Sequence, residues 1–413
     1  MDKKKLFFIV LFLVATGLIG YMIYRFFFSA RPIGPITGPA APTEEQPSGA
    51  FPASGTDTGD RGVVRQEQIV LPPSDITRTV PLTDTFGRVP TEAPRLAQII
   101  STEISQIAAS PVGGLRYYDE NDNRFYRIDE NGNPIRLSDT EFFDVEQATF
   151  SPVRDEGVIE YPDGSNIYYD FTAERQVTLP QHWEGFSFAG DGGKIAAKSI
   201  GLDPNNRWLV TSNPDGTGTR FIESLGNNGH KVEVNWSPAD RVVAFSRTGE
   251  ALGGDRQQVL LIGQNKENFP ALTIEGRDFR PQWSPSGDRL AYSVYSARNN
   301  YKPELWITGT ASGQIDAGRR PLGIETWGDK CAFASETSLV CGVPTSLEVG
   351  SGFNDVLAAG TPDQLVEINL QTGARTIIPM DEFHTIDTIT VNQDGSKLFF
   401  TDKNKSGLYE VSL

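Results

Sequence analysis

Residues 281–294 read PQWSPSGDRLAYSV, and residues 234–246 read VNWSPADRVVAFS. Both stretches carry an aromatic anchor (Trp283, Trp236), a Ser-Pro turn and then a β-forming run. Pro fixes φ and Gly accepts positive φ, so Ser-Pro and Ser-Gly-Asp mark a tight turn. The runs RLAYSV and RVVAFS supply β-branched and aromatic side chains suited to a strand. A chain that writes one hairpin twice is read first as a repeat protein.

Working outward from these two copies, five further positions fit. They are anchored at Ala109 (IAASPVGGLRYYD), Phe150 (ATFSPVRDEGVIEY), Phe188 (FSFAGDGGKIAAKS), Phe333 (CAFASETSLVCGV) and Val391 (ITVNQDGSKLFFTD). The anchors follow one another at 38 to 58 residues, and a four-stranded propeller blade takes about 40–50. A third strand follows each hairpin (NRWLVTS, QQVLLIG, PELWITG, QLVEINL), then a turn, then a short outer strand. One such sheet cannot bury both faces alone, so neighbours stack around an axis. The expected fold is all-β, a seven-bladed β-propeller, with six blades as the alternative should the divergent Ala109 unit not form a full sheet.

The outer strands read ERQVTLP (174–180), GRRPLGI (318–324) and ARTIIPM (374–380). TRTVPL (77–82) matches that pattern but precedes the first hairpin, while the last unit ends at SGLYEVSL after its third strand. The seventh blade is therefore expected to be shared between 75–83 and 385–413. Such pairing of the two chain ends leaves no open seam.

The repeated Trp-Ser-Pro, closing on Ala244-Phe245-Ser246 and Leu290-Ala291-Tyr292-Ser293, resembles the propeller repeat of TolB-type proteins. The resemblance covers about 105–413 and is specific for the repeat. It implies a propeller and says little of function. It does not imply the TolB role itself, because a candidate anchor and tether stand where TolB has a further domain. Related propellers also form the non-catalytic domain of prolyl-oligopeptidase-like peptidases.

The N-terminus sets the expected compartment. MDKKK, a short cytoplasmic stub (1–5), precedes Leu6–Tyr24, a run of 19 uncharged residues. As a helix it spans about 28 Å, close to the ~30 Å hydrocarbon core. The expected transmembrane helix is 6–28, with Tyr21 and Tyr24 at the interface and the lysines inside. A cleaved signal peptide would show a shorter apolar run and a small-x-small site, whereas Phe28 stands at the −3 place here. Residues 29–74, rich in Pro, Gly, Ser and Thr, are expected to form a linker. The domain 75–413 then faces outside the cytoplasm on a single-pass membrane protein.

The chain of 413 residues has a net charge of −16. Five cations and one acid lie in the first 31 residues, which leaves 32 basic and 52 acidic groups beyond them. So acidic a body repels phosphate backbones, and no nucleic-acid partner is expected.

Candidate chemistry is sparse. There is no G-x-S-x-G, and only His182, His230 and His384 are available as bases, so the chain is expected not to be an enzyme. No two His or Cys have zinc spacing, and no metal or cofactor is expected. Asp119, Asn121, Asn123 and Glu130 imitate a calcium loop, but Arg124 stands where Gly is needed, so a polar hairpin is the reading. Cys331 and Cys341, the only cysteines, sit five residues either side of the turn at Glu336 and form a candidate disulfide clip. Trp236, Trp283, Trp208 and Trp306 are read as core, and Trp183 and Trp327 as the tryptophans open to a face.

Two links between second and third strands are long, 296–304 and 344–364. Extra length on one rim of a rigid ring is where recognition concentrates. Arg298, Asn299, Tyr301, Phe353, Asn354 and Asp355 are the candidate contact residues, against the alternative of a variable decorative loop. Two functions remain open. One is a membrane-anchored extracytoplasmic propeller that binds or scaffolds an envelope protein. The other is a propeller that takes a small ligand or glycan in its central channel.

Overall fold

In a computed structural model, the described residues are Thr16, Leu18, 96–129, 131–267 and 269–413. The chain divides into Met1–Pro81 and Leu82–Leu413, and the architecture below belongs to the second unit. The candidate helix 6–28 lies outside the described residues except for Thr16 and Leu18, both helical. Among the described residues no helix is long and apolar enough to cross a membrane. The linker 29–74 and the expected strand 75–83 also lie outside them.

Seven antiparallel sheets follow in chain order. Blade 1 runs Ile104–Ala109, Leu115–Asp119, Arg124–Ile128 and Pro134–Arg136. Blade 2 runs Gln147–Phe150, Glu156–Glu160, Asn166–Asp170 and Arg175–Leu179, and blade 3 Trp183–Phe188, Ile195–Ile200, Arg207–Ser212 and Arg220–Ser224. Blade 4 has Val232–Val234, Val242–Ser246, Arg256–Gly263 and Leu272–Ile274, with Ala251–Gly253 added beside its third strand. Blade 5 runs Arg277–Trp283, Arg289–Tyr295, Pro303–Gly309 and Arg320–Pro321, and blade 6 Cys331–Ser335, Ser338–Pro344, Asp363–Asn369 and Arg375–Ile378. Blade 7 is Ile386–Val391, Lys397–Asp402 and Leu408–Ser412, completed by Leu96–Ile100. The Ala109 unit forms a full sheet, so the count is seven rather than six.

Closure by an N-terminal outer strand takes place, but at another position from the one expected. Leu96 pairs with Val411 and Gln98 with Tyr409, so the closing strand is LAQII rather than TRTVPL. Loop length explains the correction. From Ile100 the chain needs only Ser101–Glu103 to reach blade 1, whereas closure at 77–82 would leave about twenty residues of link, far above the usual few. Pro81 would also remove a ladder donor.

Each blade interface holds one apolar cluster. Leu115, Tyr117 and Ile128 of blade 1 meet Phe399 and Leu408 of blade 7, which seals the ring. Phe245 and Val259 of blade 4 meet Phe279, Leu290 and Tyr292 of blade 5, and the other five interfaces repeat the arrangement. Burial of a large apolar side chain is worth about 1.5–3 kcal/mol, and a single sheet could not achieve it alone.

The repeated serine has a specific task. Ser237 Oγ accepts from the amides of Arg241 and Val242 at 3.2 and 3.1 Å, and Ser284 Oγ from Arg289 at 3.2 Å. Both serines are buried and close the turn from inside, as side-chain acceptors commonly do. Trp236 is core, and Trp283 stacks on Phe245 at 5.2 Å. Trp306 is buried, and Trp208 packs against the cluster between blades 2 and 3. Trp183 and Trp327, expected at a face, are instead 5% and 3% exposed: Trp183 begins blade 3 inside the cluster it shares with blade 2, and Trp327 is buried just before the short helical turn Gly328–Lys330 that leads into blade 6.

Candidate functional site

Both long links lie on the rim opposite the Ser-Pro turns, and the structure clasps them together. The first is held by its own polar groups. The Ser296 amide donates to Asn299 Oδ1 (3.2 Å), Asn299 Nδ2 to Lys302 O (2.5 Å) and the Tyr301 amide to Ser296 O (2.9 Å). The chain turns through left-handed backbone at Asn300 and Tyr301 (φ 59° and 56°). The second link then docks on it, the Gly350 amide donating to Asn300 O (3.1 Å) and the Gly352 amide to Tyr301 O (2.7 Å). Glycine is required at 352, because a Cβ there would lie 2.4 Å from Tyr295 Cβ and 2.6 Å from Tyr301 O.

Of the six candidate residues, Tyr301 and Phe353 come together, their rings 6.0 Å apart and each edge-on to Tyr295. Phe353 is 62% and Tyr301 40% exposed. Asn354 precedes the short helical turn Asp355–Ala358, and Asp355 Oδ2 lies 3.9 Å from the Arg280 guanidinium. Arg298 and Asn299 are placed otherwise. Arg298 pairs with Glu304 at 2.6 Å and lies over the Trp306 ring at 5.1 Å; Asn299 is spent on the link itself. The sequence reading passed over Val349, Val356 and Leu357, which are exposed by 69%, 73% and 41% on the second link. Their signal was present in VGSGFNDVLAAG: apolar residues inside a Gly-rich loop with no strand period.

Buried charge fixes the second link where it returns to blade 6. Lys330 Nζ donates to both oxygens of Asp363 (3.0 and 2.7 Å), and the Ile386 amide donates to Asp363 Oδ2 (2.7 Å). Burial pushes the Asp363 carboxyl up, against the pull of Lys330. The Asp363 amide donates to His384 O (2.7 Å), and His384 Nδ1 donates to Asp402 Oδ2 (2.9 Å). Desolvation holds the His384 imidazole below its usual range, opposed by the Asp402 hydrogen bond. A buried ion pair is costly to break because the survivor is left charged without a partner.

Cys331 and Cys341 stand directly opposite in blade 6, with Cα atoms 4.1 Å apart, and a disulfide joins them. Asp119, part of the calcium-loop imitation, accepts instead from the Asn121 amide at 2.9 Å and from Thr102 Oγ1 at 2.9 Å; Glu130 lies outside the described residues. No group of three or more His, Cys, Asp or Glu that could hold a metal occurs among the described residues. At or just before the start of the innermost strands, all seven blades carry an acid: Glu103, Glu146, Glu184, Glu233, Asp278, Asp329 and Asp387. Lys198 meets Glu184 at 3.0 Å, and Arg280 meets Asp278 and Asp329 at 2.8 and 2.9 Å.

No family model matches the chain, and no curated protein matches it. Solved structures do. The β-propeller domain of Myceliophteria thermophila Cps50 (Swd1) aligns with TM-score 0.53 and 10% identity, over 77% of this chain and 100% of that one. The tricorn protease aligns with TM-score 0.50 and 10% identity, over 79% of this chain and 35% of that one. An oligogalacturonate lyase in complex with manganese aligns at 0.49 and 13% identity, over 78% and 98%. At these identities the likeness shows the fold alone. The expectation that the chain is not an enzyme is corrected by the same finding. A chain that includes this fold is a protease, so the fold by itself excludes no activity, and neither activity nor its absence follows.

Proposed function

We propose that this propeller is a protein-binding or scaffolding module of the cell envelope, anchored through residues 6–28 and facing outside the cytoplasm. The single observation that carries the binding reading is the clasped pair of links. A rigid rim presents Tyr301, Val349, Phe353 and Val356 to solvent, and exposed apolar groups on a fixed scaffold mark interaction surfaces. The lysine-flanked apolar run supports the anchor and, with it, a body outside the cytoplasm.

Membranes carrying the wild-type chain and the Phe353→Asp/Val356→Asp double variant are compared by cross-linking and co-purification. Loss of a partner from the variant, with unchanged thermal unfolding, is the expected result; an unchanged partner set defeats the rim reading. Alkaline extraction tests the anchor separately: deletion of residues 1–30 should release the chain from membranes, and retention defeats it.

A second reading, a ligand in the central channel, has one observation in its favour, the acid at or just before the start of all seven innermost strands. A ligand there would be cationic. Titration with spermidine and with a neutral oligosaccharide distinguishes the two ligand classes, and heat from neither sinks this second reading.

A further inference from the structure

The acids at the channel mouth are not equally answered by cations. Between blades 5, 6 and 7 a small cavity of about 50 Å³ is lined by Asp329, Asp355 and Asp387, with Arg280, Lys330 and Lys403 to match them. Between blades 2 and 3 a larger cavity of about 420 Å³ is lined by Glu146, Glu160 and Glu184, and by no lysine or arginine. Lys198 pairs with Glu184 at 3.0 Å from outside that lining. Glu146 and Glu160 have no ion-pair partner among the described residues.

Local structure holds this cavity firmly. Glu160 ends the second strand of blade 2 and Asn166 begins the third. A tight turn joins them, the Tyr161 amide donating to Ser165 O at 3.0 Å and the Gly164 amide to Tyr161 O at 2.9 Å. Trp183 opens the inner strand of blade 3 and is buried in the cluster shared with blade 2. Two polar side chains on the lining are left incomplete. Asn166 is only 2% exposed. Its Nδ2 donates to Trp183 O at 2.7 Å and to Pro180 O at 3.4 Å, which leaves Oδ1 without a partner among the described residues. Glu160 Oε2 accepts from the Gly185 amide at 3.2 Å, while Oε1 is buried without a hydrogen bond. Buried polar atoms are nearly always paired, and a carboxylate taken out of water without a countercharge is costlier still.

We propose that the cavity between blades 2 and 3 seats the protonated end of an alkylamine or alkylguanidine. Two incomplete acceptors beside unpaired carboxylates ask for several donors on one cation, which an ammonium or a guanidinium supplies. Tyr161, Pro162 and Ile200 give the lining apolar surface for an alkyl stem. A bare metal ion is the poorer match, since no group of three or more His, Cys, Asp or Glu could hold one among the described residues. Free polyamines and the Lys and Arg side chains of a polypeptide share this chemistry. The proposal rests on the channel reading above and gives its cationic ligand one seat on the mouth.

The probes are agmatine and the blocked tripeptide Gly-Arg-Gly, with the same tripeptide carrying citrulline in place of arginine as the neutral control. Each is titrated by calorimetry against the full chain in detergent. One charged probe or both should bind saturably, and the citrulline peptide should not. Binding of agmatine alone assigns the seat to a free amine, and binding of the tripeptide alone assigns it to a polypeptide side chain; either supports the seat. Glu160→Gln keeps an acceptor for the Gly185 amide and should weaken binding about tenfold or more. Glu146→Gln, an exposed change that guards against a folding defect in the first variant, should weaken it about threefold. Asp329→Asn, across the mouth beside Arg280, should weaken it less than either. Indifference to both glutamate variants overturns the seat, and if Asp329→Asn abolishes binding instead, the channel reading survives that loss. Saturable binding of neither charged probe, or equal binding of the citrulline peptide, overturns the seat and the channel reading together.

Discussion

On the turn rim, neighbouring blades are stitched by a repeated short contact. Arg116 of blade 1 donates to Ser151 O and Arg154 O of blade 2 (2.8 and 2.9 Å), and Arg154 in turn to Gly192 O of blade 3 (2.7 Å). The Gly190 amide reaches Asp240 of blade 4, Arg241 reaches Asp288 of blade 5, and Arg289 reaches Glu336 O of blade 6. Gly395 of blade 7 then passes so close to blade 6 that a Cβ would sit 2.1 Å from Ala334 O. On the loop rim nothing repeats. Two links of unequal length grip each other, and a buried Lys330–Asp363 pair and the His384–Asp402 contact hold them. One rim is many weak, equivalent bonds; the other is a few expensive, unique ones. Repetition shares the load, whereas the unique rim can be broken at one residue and is free to carry recognition.

That contrast can be broken at several strengths. The greatest effect should come from Asp363→Ala, which strands the buried Lys330 ammonium and should cost about 3–5 kcal/mol in denaturant unfolding; a cost under 1 kcal/mol would mean that the loop rim does not rest on this pair. Next comes the clip. Cys331→Ser with Cys341→Ser, or reduction, opens a loop with a sequence separation of 10 and should remove about 2–3 kcal/mol. Equal thiol counts in the denatured chain with and without reductant would show instead that no bond forms. On the turn rim, Arg241→Ala removes one half-exposed pair with Asp288, and should cost no more than about 1 kcal/mol. A loss as large as that of Asp363→Ala would erase the distinction between the rims.

The gentlest test is pH. Desolvation lowers the folded-state pKa of His384, from an unfolded value of about 6.5. Below that value the unfolded chain takes up a proton that the folded chain resists. Stability is therefore retained above about pH 6.5 and lost as pH falls through the window down to the folded pKa. Asp402 and Glu382 favour the charged ring, while burial and Lys405 oppose it. His384→Asn, whose amide can still donate to Asp402, should flatten the thermal unfolding midpoint between pH 6.5 and 5; an identical slope in both chains would assign the dependence to other groups.

Much of the fold was legible in the sequence because a propeller repeats its local chemistry. Trp236-Ser237-Pro238 and Trp283-Ser284-Pro285 spell turn and strand by short-range rules, and the spacing of seven anchors gave the blade count. The closing strand was misplaced because TRTVPL and LAQII are both acceptable β sequences; only the ladder to Leu408–Ser412 chooses between them. Trp183 and Trp327 were misjudged because exposure is decided by the neighbouring blade, not by the residues flanking each ring. At the candidate rim, loop length drew attention to Tyr301 and Phe353, but nothing local revealed that Arg298 would be taken by Glu304 and Trp306.

By itself, then, the sequence determined a ring of short antiparallel sheets and where its turns fall, because side-chain period and turn chemistry act over a few residues. The tertiary structure alone decided which segment closes the ring, which charges are buried as pairs, and how two distant links clasp. Those outcomes depend on partners tens to hundreds of residues away, where desolvation and close approach, rather than local propensity, set the energy.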